Sequence, residues 1–119
     1  METKTQQGDR KTMIDKKADE HLACAVDCEL TNIRKIHGHQ YNSLHEGYAV
    51  LLEEVEETED ELKRVKDELA ELWQSVKQDD NGGAREALRR IYTHAYFMLQ
   101  EAAQVCAVTS KFRGQENAW

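Results

Sequence analysis

The chain has 119 residues, a formal net charge of −7 and no proline. This length suits one domain with one hydrophobic core. An all-β fold needs many turns, and the lack of proline together with only 6 glycines argues against it. The acidic balance argues against duplex DNA as a partner, because phosphate binding requires a clustered cationic face.

The composition also bears on location. The polar, mixed-charge segment 1–17 has no apolar stretch typical of a signal peptide, and no run approaches the length of a membrane helix. The three cysteines are an odd number without framework spacing, so we expect free thiols. A cytoplasmic protein with no membrane partner is the prediction.

The acidic residues are concentrated in one stretch. Residues 46–71 hold 11 acidic and three basic side chains, so this segment carries the whole excess of negative charge. Such a density requires either a solvated helix face or a bound cation.

The first predicted helix covers residues 14–36. Residues 1–12 contain almost no apolar side chain and are predicted to form a flexible tail. Apolar residues then recur at steps of mostly three and four, which indicates an amphipathic helix. Gly38 is a plausible C-terminal glycine for this helix.

The second predicted helix begins at Leu44. Ser43 and Glu46 have the spacing of a capping box, and the helical pattern continues past Trp73. An unbroken helix of about 35 residues would be about 50 Å long. We expect a bend or break at residues 57–66, where apolar residues become sparse and acids crowd together.

A third helix is predicted over residues 84–112, after a loop from Asp79 to Gly83. Its apolar residues also recur in threes and fours. The fold class is therefore all-α: a single domain over residues 13–113, built as a helical bundle of three long helices, or four if the second one breaks. Residues 114–119 are predicted to form a loose tail. The aromatic residues at helical spacing are expected in the core: Tyr48, Trp73, Tyr92 and Tyr96.

Glu53, Glu54 and Glu57 form the first candidate cluster. On a helix they fall within an arc of about 100°, beside the apolar stripe. Like charges at these spacings repel by a few tenths of a kcal/mol per pair. A cation would relieve this repulsion, and Mg²⁺ is the natural candidate because it prefers carboxylate oxygen.

Glu101 and Gln104 form the second candidate pair. Their spacing of three residues places them on one face of the third helix, at the border of its apolar stripe. His94 lies seven residues before Glu101 and therefore on the same face. If this helix packs against the first cluster, five oxygen ligands from two helices converge.

These two segments carry a family resemblance. Segment 45–57, HEGYAVLLEEVEE, resembles the E-E-x-x-E motif of the MazG-like all-α nucleoside triphosphate pyrophosphohydrolases. Segment 101–108, EAAQVCAV, resembles their E-x-x-D motif in the form found in phage-type members, which have Gln in place of Asp. The resemblance covers roughly residues 30–112.

The resemblance implies a Mg²⁺-dependent enzyme, with Mn²⁺ as a possible substitute. Such enzymes hydrolyse (d)NTPs between the α and β phosphates to a nucleoside monophosphate and pyrophosphate. It implies Glu53, Glu54, Glu57 and Glu101 as catalytic, metal-binding carboxylates, Gln104 as a further ligand, and a homodimer or homotetramer. His94, Lys111 and Arg113 are candidate contacts to the substrate.

Two departures from the family pattern leave a second hypothesis open. Gln104 stands where a metal-binding Asp is expected, and the segment Glu61–Lys77 extends the distance between the motifs. The chain could instead be a catalytically silent helical module that binds a partner helix through an apolar seam on this extension. The seam comprises Leu62, Val65, Leu69, Leu72 and Val76.

Overall fold

The computed structural model describes the backbone of residues 4–115 and the side chains of residues 15–115. Within this range the chain forms three α-helices and no strand: α1 (Lys4–His37), α2 (Leu44–Lys77) and α3 (Asn81–Arg113). The predicted all-α helical bundle is confirmed. The described helices do not include one with the length and apolar content that crossing a bilayer requires.

Helix α1 begins earlier than predicted but ends where predicted. The helix begins at Lys4, so its backbone includes most of the stretch 1–12 that composition assigned to a tail; residues 1–3 lie outside the described range. Its C-terminal end is as expected. Gly38 has a φ of 81°, and its amide donates to the carbonyl of Arg34 at 2.9 Å. Glycine reaches this left-handed conformation without steric cost.

The capping residue predicted for α2 is confirmed, because the Ser43 hydroxyl accepts from the Glu46 amide at 3.1 Å. Of the bend or break predicted at residues 57–66, the break does not occur, since α2 runs unbroken for 34 residues. Acids in this stretch have partners that the pattern did not reveal. Glu61 is buried and pairs with both Arg64 and His94, which removes part of the repulsion expected there.

The connection between α2 and α3 is shorter than predicted. Asp80 caps α3 by accepting from the Gly83 amide at 3.0 Å, so both glycines of the predicted loop lie in the first helical turn. Asp79 adopts a φ of 53°, a conformation that aspartate tolerates better than most residues. The tight turn makes α2 and α3 an antiparallel hairpin.

The contacts between α2 and α3 show the register of this hairpin. Glu68 of α2 accepts from Arg90 of α3 at 2.7 Å, and Glu61 contacts His94 at 3.0 Å. Nearer the open end of the hairpin, Glu54 lies beside Gln104. Helix α1 packs mainly on α3.

Few apolar side chains are buried in the described range. They are Tyr41, Ala87, Ala107 and Val108, all of which are at most 8% exposed. The expectation that the aromatic residues at helical spacing lie in the core is wrong for the single chain. All four are exposed: Tyr48, Trp73, Tyr92 and Tyr96. The three cysteines are free, as expected, and exposed.

Candidate functional site

Three carboxylates converge where the first turns of α2 face the last turns of α3. Glu54 and Glu57 lie one turn apart on α2, and Glu101 faces them from α3. All three are half-buried, and each offers an oxygen within 4.8 Å of the others. The fold thus brings Glu101 to Glu54 and Glu57, although it lies more than 40 residues away in the sequence.

Protons are held tightly in this carboxylate cluster. Burial, followed by the negative charges of Glu57, Glu101 and Glu53, raises the pKa of Glu54 to about 7. Burial and a hydrogen bond with Glu57 likewise raise the pKa of Glu101. The charged forms are costly here because like charges share a partly desolvated space.

Gln104 bridges the two helices at the carboxylate cluster. With its amide nitrogen toward the carboxylates, the side chain donates to Glu54 Oε2 at 2.8 Å and to Glu101 Oε2 at 3.2 Å. This orientation satisfies donor and acceptors, whereas the opposite one brings oxygen against oxygen. Ligation of a cation by Gln104 would therefore require its amide to rotate.

Glu53 lies beside the carboxylate cluster but outside it. Its side chain is exposed and borders the adjoining cavity. Its charge reaches Glu54, whose pKa it helps to raise. Glu53 is thus free to face a bound molecule while the other three carboxylates face one another.

A cavity of about 770 Å³ opens between the C-terminal half of α1 and the α2–α3 hairpin. Glu53, Glu54 and Gln104 border one part of it, and Lys111 and Tyr41 border another. Apolar side chains also line it: Ile33, Ile36, Val50 and Val108. The remaining lining residues are polar or charged: Glu29, Asn32, His37 and Glu46. The volume falls within the usual range for small-molecule sites.

Two side chains that line this cavity have hydrogen-bond donors without an acceptor. Within the described range, Tyr41 Oη and Lys111 Nζ are buried and have no hydrogen-bond partner, and the same holds for Nε of Arg34, which lies outside the cavity lining. Lys111 is 1% exposed, and its ammonium lies 3.9 Å from the centroid of the Tyr41 ring. Orphaned buried polar groups are rare, and groups that can all donate suit an anionic ligand.

Electrostatics at Lys111 and Tyr41 follow from burial and from their neighbours. Burial lowers the pKa of Lys111, while Glu46 opposes this shift and Arg34 adds to it. Burial, then Glu54 and Glu46, raises the pKa of Tyr41, so its hydroxyl keeps its proton. The donors of this cavity therefore lie within the electrostatic reach of the acidic residues opposite.

The structure separates the three residues predicted to contact substrate. Lys111 borders the cavity, whereas Arg113 is exposed and outside its lining. His94 Nδ1 lies 3.0 Å from Glu61 Oε2, and its ring meets Phe97 edge-on. His94 thus takes part in the pairing of α2 with α3, away from the cavity lining.

Sequence reasoning missed Tyr41 and Arg34. Tyr41 lies in the loop before α2, where its backbone amide donates to Gln115 Oε1 at 2.8 Å and its ring packs edge-on against Phe112. One signal was available, since Tyr41 is the single aromatic in an otherwise polar loop. Arg34 gave no signal, because a basic residue in the last turn of a helix is ordinary. The prediction of a loose tail over residues 114–119 is wrong at Gln115, because this residue is hydrogen-bonded to Tyr41. Residues 116–119 lie outside the described range.

Comparison with known proteins leaves the family open. The chain matches no protein-family model, no curated protein and no solved structure.

Proposed function

We propose that the protein is a Mg²⁺-dependent hydrolase of nucleoside triphosphates, which it cleaves to a nucleoside monophosphate and pyrophosphate. One observation carries the proposal: a single cavity is bordered by Glu54, a member of the carboxylate cluster, and by Tyr41 and Lys111, whose donors have no hydrogen-bond partner in the described range. A phosphate chain with a bound cation suits both, because the cation binds carboxylates while phosphate oxygens accept from the donors.

The carboxylate cluster has the chemistry that Mg²⁺ requires. Mg²⁺ takes oxygen ligands at about 2.1 Å, so two oxygens on one ion lie at most about 4.2 Å apart. The oxygens of Glu54, Glu57 and Glu101 lie within 4.8 Å of one another, so they would have to move closer together to bind one ion. Mg²⁺ held there would supply positive charge to the phosphates and make water a stronger nucleophile.

The donors would hold the phosphate chain. Lys111 can turn its ammonium to a phosphate oxygen, with the Tyr41 hydroxyl beside it. Each such bond to a charged group contributes about 1.5–3 kcal/mol. The apolar side chains of the lining, which include Ile33 and Val108, can pack against the nucleoside.

The reaction breaks the bond between the α phosphorus and the oxygen that bridges to the β phosphate. A water oxygen attaches to the α phosphorus, and pyrophosphate leaves with the bridging oxygen. Glu53 is the residue placed to accept the proton of the water, because it borders the cavity without belonging to the carboxylate cluster. Catalysis is then positioning combined with charge stabilisation.

The test is incubation of the purified protein with each ribo- and deoxyribonucleoside triphosphate and Mg²⁺, followed by separation of products. Nucleoside monophosphate and pyrophosphate in equal amounts support the proposal. Absence of turnover, or formation of diphosphate and orthophosphate, contradicts it. EDTA should abolish the reaction, and Mn²⁺ should restore it.

A second candidate function is a catalytically silent module that binds a partner helix. The exposure of Leu62, Leu69 and Val76 on α2 favours it, whereas Val65 and Leu72 of the same seam are half-buried. Mg²⁺ discriminates between the two. A metal site gains thermal stability from millimolar Mg²⁺ by preferential binding to the folded state, whereas a silent module responds no more than to Na⁺ of equal ionic strength.

A further inference from the structure

Gln104 is an uncharged side chain that bonds directly to the carboxylate cluster. Its amide nitrogen donates to Glu54 Oε2 at 2.8 Å and to Glu101 Oε2 at 3.2 Å. Glu54 belongs to α2, whereas Glu101 lies one turn before Gln104 on α3. Since an amide group has two N–H hydrogens, both are used to join carboxylates of different helices.

The surroundings of this amide set its orientation at both atoms. With the nitrogen on the carboxylates, the amide oxygen faces donors. A rotation by about 180° would exchange the two atoms, so that the nitrogen would face those donors and both hydrogen bonds would be lost. A cation among the carboxylates could bind the rotated oxygen, but it would leave the nitrogen against donors. The adopted orientation is therefore favoured with a cation present as well as without one.

The two hydrogen bonds act against the repulsion between the carboxylates that they join. Glu54 and Glu101 are half-buried, and like charges repel strongly in a partly desolvated space. A donor between them stabilises both, because hydrogen bonds to an ionised acceptor are the stronger kind. A neutral amide does so without cancelling the negative charge that attracts a cation, whereas a lysine or arginine at this position would cancel it.

The carboxylate cluster keeps enough acceptor capacity for a cation. A carboxylate has about four lone-pair positions, and Gln104 uses one on each of its two partners. Glu57 accepts no bond from Gln104, and its carboxylate lies within 4.8 Å of the other two. Mg²⁺ commonly binds proteins through one or two carboxylates and keeps several waters. An amide oxygen is therefore not needed to complete the ligand set.

We propose that Gln104 is a positioning residue, whose amide nitrogen stays on Glu54 and Glu101 when a divalent cation binds to the carboxylates. The inference rests on the proposed function for the presence of that cation, but not on hydrolysis of a nucleotide. It gives a role to the position at which the chain departs from the E-x-x-D pattern: Gln104 orients the ligands of the cation and is not one of them.

The first experiment is NMR spectroscopy of the Gln104 side-chain amide in the unaltered chain, labelled with nitrogen-15 and carbon-13. Its resonances are assigned through bonds to its own backbone, so no variant is required. We expect its hydrogens to exchange with water more slowly than those of the exposed Gln100, both without divalent cations and at saturating Mg²⁺. Loss of this protection on addition of Mg²⁺ would show that the amide turns to the cation and would overturn the proposal.

A pair of matched variants tests the effect on the cation. Gln104→Met nearly keeps the length of the side chain and removes both donors, and circular dichroism reports whether it is folded. We expect its dissociation constant for Mn²⁺, measured by calorimetry, to rise about 10-fold, the scale of losing a hydrogen bond to a charged group. Gln100→Met makes the same change at an exposed position one turn earlier on α3 and should bind Mn²⁺ like the unaltered chain. A merely structural Gln104 would lower the melting temperature but leave the affinity for Mn²⁺ unchanged, which would contradict the proposal.

The outcomes separate this inference from the proposed function. Protected amide hydrogens at saturating Mg²⁺, without turnover of any nucleoside triphosphate, would support the positioning role and contradict the hydrolase. Turnover by a chain whose amide turns to the cation would support the hydrolase and contradict the positioning role. A chain that binds neither Mg²⁺ nor Mn²⁺ overturns both.

Discussion

The two ends of the α2–α3 hairpin expose large apolar side chains alike but differ in the charge that they bury. At the open end, α1 and the loop before α2 cover α3, so Lys111 is 1% exposed and its ammonium has no hydrogen-bond partner in the described range. Towards the turn, no charged side chain in the described range is buried to this degree, and Trp73 is 57% exposed.

Both ends carry a free-energy cost in the isolated chain. A buried ammonium without a hydrogen-bond acceptor loses hydration that its contact with the Tyr41 ring replaces only in part, and exposed leucines forgo about 25 cal/mol per Å² of apolar area. The two costs differ in kind. An anion would relieve the first, whereas another apolar surface would relieve the second.

The largest expected effect is a loss of activity when the carboxylate cluster at the open end of the hairpin is altered. Glu57→Gln removes one charge from the carboxylate cluster, and we expect pyrophosphate release to fall on the order of 10³-fold, the scale of losing a charge-stabilising group. The variant should be no less heat-stable than the unaltered chain, because a repulsive charge is lost. Glu56→Gln, on an exposed neighbour in α2, is the control and should retain activity. Equal losses in both variants would contradict the assignment of the carboxylate cluster.

At the same end, a substitution of Lys111 should change ligand affinity and thermal stability in opposite directions. Lys111→Met should weaken binding of a nucleoside triphosphate about 10- to 100-fold, by loss of one bond to a charged group. The melting temperature without ligand should rise, because a buried ammonium that has no hydrogen-bond acceptor is gone. The measurements are calorimetric titration and thermal melting.

Arg113→Met is the control for Lys111→Met. Arg113 follows on the same helix but is exposed and outside the cavity lining, so its replacement should leave both quantities unchanged. A Lys111→Met protein that binds triphosphate normally would contradict the anion site.

Packing density should also differ between the two ends. A Cβ added at Gly47 would collide with the ring of Phe112, so Gly47→Ala should destabilise the fold by about 1–3 kcal/mol. At Gly82, near the turn, the nearest atom lies 3.7 Å from such a Cβ, so Gly82→Ala should be neutral or stabilise by about 0.4–1 kcal/mol. Urea denaturation measures both, and similar values would show that the ends are packed alike.

Removing the N-terminal caps of α2 and α3 should have a smaller effect on the free energy of unfolding at each end of the hairpin. Ser43→Ala deletes the acceptor for the Glu46 amide, and Asp80→Ala deletes that for the Gly83 amide. Each should cost about 1 kcal/mol in the free energy of unfolding. A much larger loss at Ser43 would indicate that the first turn of α2 also supports the cavity.

The smallest expected effect is on the pH dependence of stability without divalent cations. The folded-state pKa of Glu54 is about 7, above its ordinary value of 4.5, so the folded chain binds this proton more tightly than the unfolded chain. The resulting stability is present below about pH 4.5 and is lost as pH rises through about 7. The melting temperature should therefore fall by a few degrees between pH 5 and 8. Glu54→Gln should remove most of this slope, and an unchanged slope would place the proton elsewhere.

Local signals in the sequence predicted where α1 ends and where α2 begins, but not where α1 and α3 begin. Gly38 and Ser43 stop and start helices through bonds to residues at most four positions away, which a sequence displays directly. The prediction failed where partners come from another helix. A break in α2 was expected from crowded acids, yet His94 of α3 pairs with Glu61 across 33 positions.

The sequence by itself determined that the chain is helical, where its charge is concentrated, and that Glu54 and Glu57 share a helix face, because these depend on periodicity and neighbours. The tertiary structure alone decided that Glu101 meets them, that Lys111 and Tyr41 border a cavity with Glu54, and that Trp73 remains uncovered. Periodicity shows which side chains point the same way along one helix. It does not show which other helix lies on that side.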